Sequence, residues 1–336
     1  MNQSSKLLKM ALKIGTHNGV FHADEVTACM MLKLLPKFKD AEIIRTRDQK
    51  ILDTCDIVVD VGGVYDHSLS RYDHHQKTFN ESLSTIIEGM PYVTKLSSAG
   101  LIYAHYGKEV IGQRLKEINV EETEEVIKMV FERVYKKFIE EIDAGDNGIP
   151  THDGVARYDV TTNLASRVSQ LKPNWNDIVR DFDSKFFDAI NLVRPEFLDR
   201  IDYYAQVWWP ARRIVKEAVQ KRLQVHESGK IIAFDRDGCP FSEHIYQIEK
   251  EEGIEILYVI FHDASNDTWR VLAVSVEGDH FNQRLKLKKE WRGLRDGELS
   301  EVSGIPGCIF VHAGGFIGGN KTRSGALQMA VDTLNS

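Results

Sequence analysis

The sequence predicts an α/β fold, in which a parallel-sheet domain precedes a smaller α/β domain at the carboxyl end. Between positions 12 and 143, short apolar runs alternate with longer stretches that have a helical apolar period. The same alternation returns between positions 230 and 336, after a mainly helical stretch. Strands that alternate with helices form a mostly parallel sheet covered on both faces.

The first elements are predicted as a strand, a helix and two further strands, at 12–16, 24–35, 41–46 and 56–61. Apolar residues of the helix recur on one face, and the last strand is rich in β-branched residues. Two more helices are predicted at 97–106 and 122–142. Pro36 and Gly107 are interpreted as helix breaks.

Glycine and proline residues interrupt this pattern between positions 144 and 163, which we interpret as a linker or an active-site loop. The following stretch, 174–224, is predicted to be mainly helical. Its Trp208-Trp209-Pro210 cluster is interpreted as a packing anchor between domains, with a base-stacking platform as the weaker alternative. The sequence therefore predicts three regions, 1–150, 151–228 and 229–336.

Composition limits the classes of partner. The 336-residue chain has a formal net charge of -7, which argues against salt-driven coating of nucleic acid. A small phosphodiester site remains compatible with this charge, because metal ions supply positive charge locally. The four cysteines lie far apart, which fits neither a zinc finger nor a disulfide framework and indicates a reducing compartment.

Neither a membrane nor a cleaved leader is expected. No stretch approaches the roughly 18 apolar residues that a membrane span requires. Lysines and leucines in the first thirteen residues resemble a targeting peptide faintly, but arginine is absent there. We expect an uncleaved protein of the cytoplasm or nucleus, with a mitochondrial location left open.

Side chains that can bind metals form one predicted set in the amino-terminal region, namely His17, His22, Asp24, Asp60, His74 and either Asp143 or Asp146. His17 follows one predicted strand and Asp60 lies at the end of another. Open α/β sheets bind ligands beyond the carboxyl ends of their strands. Carboxylates suit Mn²⁺ and Mg²⁺, while added histidines favour Mn²⁺ or zinc. The set predicts a divalent metal centre with two Mn²⁺ ions, and Mg²⁺ is the alternative.

Asp60 and Asp73 are predicted to take part in catalysis, and His75 supplies a further imidazole beside them. Two-metal phosphoester hydrolysis requires ions roughly 3.5–4 Å apart, held by carboxylates and imidazoles. Asp60 could bridge both ions, and Asp73 could fix the tautomer of a neighbouring histidine. His67 and His105 are interpreted as ordinary surface or packing histidines.

A glycine-rich run, Gly314 to Gly319, stands between an apolar run and a predicted helix at 324–334. A glycine loop that opens a helix binds anions, because backbone N–H groups and the helix dipole converge there. Lys321 and Arg323 add positive charge beside it. An ordinary glycine turn without a ligand explains this run equally well.

The order of these motifs resembles the DHH phosphoesterase superfamily, named for the triplet that stands here as Asp73-His74-His75. It resembles the MYG-type branch more closely. The matching motifs are Gly15-Thr16-His17-Asn18-Gly19, Phe21-His22-Ala23-Asp24-Glu25, Val59-Asp60-Val61-Gly62-Gly63, Lys95-Leu96-Ser97-Ser98, Asp143-Ala144-Gly145-Asp146-Asn147-Gly148 and the stretch from His312 to Gly319. The resemblance covers about residues 12 to 334.

The resemblance implies an amino-terminal DHH domain with the metals, a connector, and a carboxyl-terminal domain that binds substrate. It implies a hydrolase that acts as a 3′–5′ exonuclease on RNA or a short oligonucleotide. His75 would protonate the leaving oxygen or contact phosphate. The implied phosphate or nucleotide ligands are His312, Gly314, Gly315, Lys321 and Arg323. Oligomeric state is left open.

One position departs from the superfamily pattern. His22 stands where a carboxylate is usual, which makes the site less negative and should favour Mn²⁺ over Mg²⁺. Two alternative functions remain at this stage. One is a phosphohydrolase for pyrophosphate or a dinucleotide, and the other is a catalytically weak, metal-bound RNA-binding protein.

Overall fold

The protein is described here by a computed structural model that covers residues 11–336. The chain divides after Gln206 into two compact units. The targeting-peptide interpretation depends on Lys6 and Lys9, which lie outside the described residues. No helix in the described part of the chain is long and apolar enough to cross a membrane. The functional division at residues 150 and 228 stays a prediction.

The first unit contains one five-stranded sheet, with β1 Lys13–Thr16, β2 Glu42–Arg45, β3 Ile57–Val59, β4 Tyr65–Asp66 and β5 Arg71–Tyr72. The strand order is β2-β1-β3-β5-β4, and only the edge pair β4–β5 is antiparallel. In this register Gly15 lies opposite Val58, and Val59 lies opposite Tyr72. The predicted mostly parallel α/β sheet is confirmed.

Between residues 11 and 206, eight α-helices accompany this sheet: α1 Ala23–Leu34, α2 Gln49–Leu52, α3 Leu83–Ile86, α4 Ser98–Glu117, α5 Glu124–Val134, α6 Glu140–Asp146, α7 Leu164–Gln170 and α8 Phe182–Tyr203. A short 3₁₀ turn spans His67–Leu69. Every residue of α1 from Ala23 to Leu32 is buried, which explains its weak amphipathic pattern. A helix buried on all sides lies in the interior of its unit.

Gly107 does not end a helix, so that prediction is wrong. Helix α4 continues through it to Glu117. A Cβ atom at position 107 would lie 2.9 Å from both Phe131 and Tyr103. Glycine is therefore present because α4 and α5 pack closely at this point. The need for close packing outweighs the helix-breaking tendency of a single glycine.

The predicted helix 122–142 contains a local irregularity. Between α5 and α6, residues Tyr135–Ile139 form a π-helical turn. The buried Tyr135 ring belongs to this turn, while Lys136 and Lys137 face solvent. Such turns insert one residue into an otherwise α-helical path.

The second unit contains a five-stranded sheet and a two-stranded ribbon, formed by β6 Ile231–Asp237, β7 Tyr258–Asp263, β8 Thr268–Ala273, β9 Ser275–Val276, β10 Asp279–Gln283, β11 Cys308–Val311 and β12 Ile317–Asn320. The sheet order is β11-β12-β8-β7-β6, and β9 pairs with β10. Only β6 and β7 are parallel. The second unit is therefore α/β as predicted, with a mainly antiparallel sheet.

Five helices complete the second unit: α9 Trp209–Gln220, α10 Arg222–Val225, α11 Ser242–Glu252, α12 Asp296–Ser303 and α13 Arg323–Leu334. One apolar cluster joins Val271 of the sheet to Met329 of α13. A second joins Val259 to Val215 of α9 and Ile245 of α11. The two clusters show that helices pack on both faces of this sheet.

Trp208 is buried, with 3% of its surface exposed, and its ring lies 4.0 Å from the His244 ring between centroids. The carbonyl of Trp208 is 2.8 Å from Nε2 of His244. The Trp208 ring is therefore enclosed by its neighbours. It offers no face on which a nucleobase could stack.

Candidate metal centre and its family

Four parallel strands of the first unit direct functional side chains to one edge of the sheet. β1 leads into His17, β2 into Arg47, β3 into Asp60 and β5 into Asp73. Because neighbouring strands run the same way, their carboxyl ends lie side by side. The sheet therefore brings segments that are distant in sequence to one place.

Asp60 occupies the centre of this edge. Its Oδ2 lies 3.3 Å from Nε2 of His17, while its Oδ1 lies 3.6 Å from Nδ1 of His74 and 3.5 Å from Nδ1 of His75. The Asp60 side chain is buried, and its backbone has φ +56°, a left-handed conformation that costs energy for a residue with a side chain. The two oxygens of Asp60 thus face two different groups of imidazoles.

The Asp73-His74-His75 triplet divides its roles by position. The buried Asp73 carboxylate accepts hydrogen bonds from the Gly63 N–H at 2.6 Å and from the His75 N–H at 3.1 Å. Its Oδ1 is also 2.7 Å from Nδ1 of His75. Asp73 therefore fixes the ring of the exposed His75, whereas His74 is buried beside Asp60.

The amino terminus of α4 holds Asp24. The Ser98 N–H donates to Asp24 Oδ2 at 3.1 Å, and the Ala99 N–H donates to Asp24 Oδ1 at 2.5 Å. These are free N–H groups of the first helical turn, which favour a negative charge. The Ser98 hydroxyl also lies 3.5 Å from Asp60 Oδ1 and 3.3 Å from His74 Nδ1. Ser98 therefore links three predicted site residues.

Asp143 and Asp146 differ in their surroundings. Asp146 Oδ2 lies 2.8 Å from Nε2 of His74. The Asp143 carboxylate is fully buried and accepts from the Ser97 N–H at 2.9 Å, the Ser97 hydroxyl at 2.7 Å and the Tyr135 hydroxyl at 3.1 Å. Asp146 therefore faces the other site residues, while Asp143 is engaged by the surrounding scaffold.

His22 lies at the start of α1 and is solvent-exposed. The His22 N–H donates to both oxygens of Glu25 at 3.0 Å, in a capping arrangement. Glu25 Oε1 also lies 3.2 Å from Nε2 of His17. The buried Glu25 is thus a component of this centre that the sequence analysis did not select.

Within the described residues, three groups of side chains could each hold a metal ion, because every member of a group offers one ligand atom within 4.8 Å of the others. The first group is Asp60, Asp73, His74 and His75, the second is His17, His22 and Glu25, and the third is Asp24, His74 and Asp146. Two ligands of one divalent ion, each about 2.1 Å from it, lie roughly 3–4 Å apart. The separations of Asp60 from His17 and His74 fall in that range. The nitrogen and oxygen donors therefore fit a divalent metal ion, although they do not identify it.

Electrostatics support the same conclusion. Burial raises the pKa of the Asp24 carboxyl well above its ordinary value, and the charges of Asp60 and Asp146 raise it further. Burial alone would lower the pKa of His17, but hydrogen bonds to Asp60 and Glu25 outweigh this effect and raise the pKa to about 10. Burial alone would also lower the pKa of His74, but its bond to Asp146 and the charges of Asp60, Asp146 and Asp73 together outweigh burial and raise this pKa. The pocket therefore favours bound positive charge.

A cavity of about 550 Å³ lies above this centre and is bordered by His17, His22, Asp60, Asp73, His75 and Asp146, with Gly62 and Gly63. Arg47 also borders it, and its Nη2 lies 3.3 Å from Nδ1 of His17. Arg47 is exposed, so its guanidinium can meet a ligand that enters from solvent. Sequence reasoning missed Arg47, because an arginine in a polar loop has no distinctive spacing.

The predicted glycine loop has a different structure from the one expected. Gly318 and Gly319 belong to strand β12, and α13 begins only at Arg323, after the Thr322 cap. Gly314 and Gly315 instead form the turn between β11 and β12. The glycine run therefore does not open helix α13. The prediction that its backbone N–H groups converge on an anion at the start of that helix is wrong.

The other predicted substrate-binding residues lie around this hairpin. In its turn, the Gly314 N–H donates to Nδ1 of His312 at 3.0 Å. Lys321 is exposed after β12. Arg323 Nε lies 3.2 Å from Asp235 Oδ1, and the Arg323 guanidinium is 5.9 Å from the Trp269 ring centre. These residues occupy both ends of β12 and do not form one cluster.

Comparison with known proteins extends the structural description. A family model described as Uncharacterised protein family (UPF0160), the MYG1 exonuclease model, matches residues 13–334. This chain belongs to the MYG1 exonuclease family. The resemblance of its motifs to the MYG-type branch is thereby confirmed.

Relatives from distant animals share most of their length with this MYG1 family member. It is 50% identical to the MYG1 exonuclease of Bos taurus over 325 residues, which cover 96% of this chain and 84% of that protein. It is also 50% identical to a MYG1 protein of Caenorhabditis elegans over 329 residues, 97% of this chain and 96% of that protein. The MYG1 exonuclease of Homo sapiens is 49% identical over 325 residues, 96% and 85% of the two chains.

Proposed function

We propose that this chain is a metal-dependent phosphodiesterase of the DHH phosphoesterase superfamily, and that it removes nucleotides from the 3′ end of RNA. The observation that carries this proposal is the position of Asp60 between two groups of imidazoles, with a different oxygen toward each. Asp60 could therefore offer one oxygen to a divalent ion held beside His17 and the other to one held beside His74. Relatives that are named exonucleases support a nucleic acid substrate.

Two divalent ions, for which we propose Mn²⁺, are assigned to the donors already described. His17, Asp24, Asp60, His74 and Asp146 are the proposed ligands, and Glu25 and His22 complete the surroundings of His17. When bound, such ions polarise phosphoryl oxygens and lower the pKa of a water molecule. The mixture of imidazole and carboxylate donors is the reason to prefer Mn²⁺ to Mg²⁺.

His75 is the proposed proton donor. Its Nδ1 is engaged by Asp73, which leaves Nε2 for substrate. The water molecule loses one proton to solvent as its oxygen forms a bond to phosphorus. The bond from phosphorus to the 3′ oxygen breaks, that oxygen receives a proton from His75, and His75 regains a proton from solvent. This step yields a nucleoside 5′-monophosphate and a chain shortened by one residue.

Arg47 is the proposed ligand of a non-bridging phosphate oxygen. The cavity border otherwise presents three carboxylates, Asp60, Asp73 and Asp146, which repel a phosphodiester. A guanidinium at the same border offsets that repulsion and can bind phosphate through two parallel hydrogen bonds. For the second unit, we retain the proposal that His312, Gly314, Gly315, Lys321 and Arg323 bind phosphate or the terminal nucleotide.

The decisive experiment uses the purified chain, Mn²⁺ and a short single-stranded RNA with a label at its 5′ end. A 3′–5′ exonuclease produces a ladder of labelled products that shorten one nucleotide at a time. The Asp60→Asn variant should lose this activity, while a matched change of an exposed histidine outside the cavity, His152→Gln, should keep it. Immediate release of the 5′ label as a mononucleotide would show digestion from the 5′ end and would contradict the proposed 3′–5′ polarity. Absence of any product from wild-type protein would refute the proposed function.

A further inference from the structure

Three strands of the second unit present a row of residues on one face. Phe310 of β11 lies opposite Gly319 of β12, and Gly319 lies opposite Arg270 of β8. The same row continues to Phe261 of β7, which packs against the buried cluster under α9 and α11. At the β11 edge, Phe310 and Arg270 are only partly buried. The row therefore runs from a helix-covered region to an accessible one.

Gly319 lets the two flanking side chains meet. A Cβ atom at position 319 would lie 2.8 Å from Nη1 of Arg270 and 3.0 Å from Cε1 of Phe310. Without that atom, the Arg270 guanidinium reaches a position 5.4 Å from the centre of the Phe310 ring. The absence of a side chain at 319 is thus necessary for this contact.

Arg270 is held rigidly in this position. Its Nη2 donates to Asp263 Oδ2 at 2.5 Å, and its Nη1 donates to the Thr268 hydroxyl at 2.9 Å. Its side chain is 15% exposed. An arginine bound on two sides presents its guanidinium plane in a fixed orientation, so little entropy is lost when a planar ligand stacks on it.

Arg295 pairs with Phe310 in an isolated antiparallel bridge. Its guanidinium is 5.9 Å from the Phe310 ring centre, and its side chain is 67% exposed. The nearest carboxylate given by the structure, that of Asp296, is 3.9 Å away and also exposed, so it holds Arg295 only weakly. A cavity of about 330 Å³ is bordered by these groups, Asn266, Thr268 and Ile309.

This combination matches the chemistry of an unpaired nucleotide. Aromatic rings and guanidinium planes stack on nucleobases, and a free guanidinium binds phosphate. The amide of Asn266 and the hydroxyl of Thr268 supply donors and acceptors for the edge of a base. A base in a duplex is already stacked and paired, so a small cavity of this kind favours single strands.

We propose that Arg270, Arg295 and Phe310, which we call the arginine–phenylalanine patch, bind one nucleotide of single-stranded RNA. The base stacks on the patch, and Arg295 binds the adjacent phosphate. The choice of RNA as the bound polymer rests on the proposed function, in which RNA is the substrate. It adds a nucleotide-binding site formed by residues other than the proposed phosphate ligands of the second unit and the proposed metal ligands of the first.

Equilibrium binding tests this proposal without catalysis. Fluorescence anisotropy of a labelled single-stranded RNA is measured with the full chain in EDTA, so that no turnover occurs. The variants are Arg295→Ala, Arg295→Lys and Phe310→Leu, and the control is Arg213→Ala, which removes an equally charged side chain that is 84% exposed in the same unit. Circular dichroism melting shows whether each variant is folded.

Phe310→Leu and Arg295→Ala should each weaken RNA binding by roughly 5- to 100-fold, the usual loss for a stacked base. Arg295→Lys should recover part of the loss, because it keeps the charge but not the plane. With an RNA that is abasic throughout, the effect of Phe310→Leu should disappear and that of Arg295→Ala should remain. This abasic comparison separates stacking from a simple change in charge or folding.

Binding of the patch variants within twofold of the Arg213→Ala control would overturn the proposal, as would an equal effect of Phe310→Leu on intact and abasic RNA. Failure of the proposed function gives a different result. In that case wild-type protein with Mn²⁺ hydrolyses neither RNA nor bis(p-nitrophenyl) phosphate, while the loss of binding in EDTA persists.

Discussion

Replacement of Gly100 by alanine should destabilise the first unit strongly. Gly100 lies in the first turn of α4, directly against the buried Asp143 carboxylate. A Cβ atom there would lie 2.5 Å from Asp143 Oδ2 and 2.7 Å from its Cγ, distances that no carbon contact tolerates. Asp143 cannot move easily, because Ser97 and Tyr135 hold both of its oxygens.

The expected loss follows from these contacts. Overpacking of a buried site costs about 1–3 kcal/mol. Displacement of the carboxylate weakens up to three hydrogen bonds, each of which contributes about 1 kcal/mol. Alanine has a helix propensity about 1 kcal/mol better than glycine, which offsets a small part. If all three hydrogen bonds are lost, we therefore expect the free energy of unfolding to fall by about 3–5 kcal/mol.

Urea unfolding followed by circular dichroism measures this loss. The matched control is Gly145→Ala in α6, where a Cβ atom would have nothing within 4 Å and helix propensity should make the change neutral or stabilising. Gly100→Ala combined with Asp143→Ala restores space, so its total cost should be smaller than the sum of the two single changes. Equal stabilities of Gly100→Ala and Gly145→Ala would refute the reasoning.

Three further predictions concern the site and its surroundings. In steady-state assays, Arg47→Ala should raise KM for RNA at least tenfold, with a smaller effect on kcat. Arg47→Lys should recover part of this loss. An unchanged KM would contradict a phosphate contact. Removal of metal by EDTA should lower the melting temperature. Mn²⁺ at a hundredfold excess over its Kd should then raise the free energy of unfolding by about 2.7 kcal/mol in wild type and by much less in Asp60→Asn. Burial, together with the charge of the stacked His67, lowers the pKa of His105 to about 4. In the unfolded chain His105 has an ordinary pKa of about 6.5, so it binds a proton at a higher pH there than in the folded protein. The folded state therefore loses stability as the pH falls from about 6.5 to about 4. Urea titrations at pH 6.5 and pH 4 measure how much the free energy of unfolding falls between these values. After allowance for solvent screening, this fall should be roughly 1–2 kcal/mol smaller in His105→Asn than in wild type.

The sheet and the grouping of the candidate site residues could be predicted from sequence, because each depends on local information. Strand ends are visible as apolar runs that stop at polar residues, and His17 and Asp60 stand directly at such ends. Parallel pairing then requires that those ends be neighbours. The structure brings His17, Asp24, Asp60, His74 and Asp146 together, as their joint occurrence in the sequence indicated.

Other features depend on contacts that a sequence pattern does not contain. Gly107 was interpreted as a break, yet it allows two helices to approach. Glu25 resembled an ordinary acidic residue of a first helical turn, and only its distance from His17 reveals a role at the centre. Asp143 and Asp146 could not be separated by spacing, since both precede the same glycine. Their different partners appear only when Ser97 and His74 are placed in space.

The π-helical turn at Tyr135–Ile139 has a consequence for which changes this segment can accept. Each α-helical residue advances the direction of the next side chain by about 100°, so the extra residue of the turn rotates all of α6 relative to α5. That rotation lets Tyr135 reach Asp143 and places Asp146 beside His74. The exposed Lys136 can vary in chemical character, but the number of residues in the turn cannot change without turning Asp146 away. At this segment natural variation is expected in side-chain identity and not in chain length.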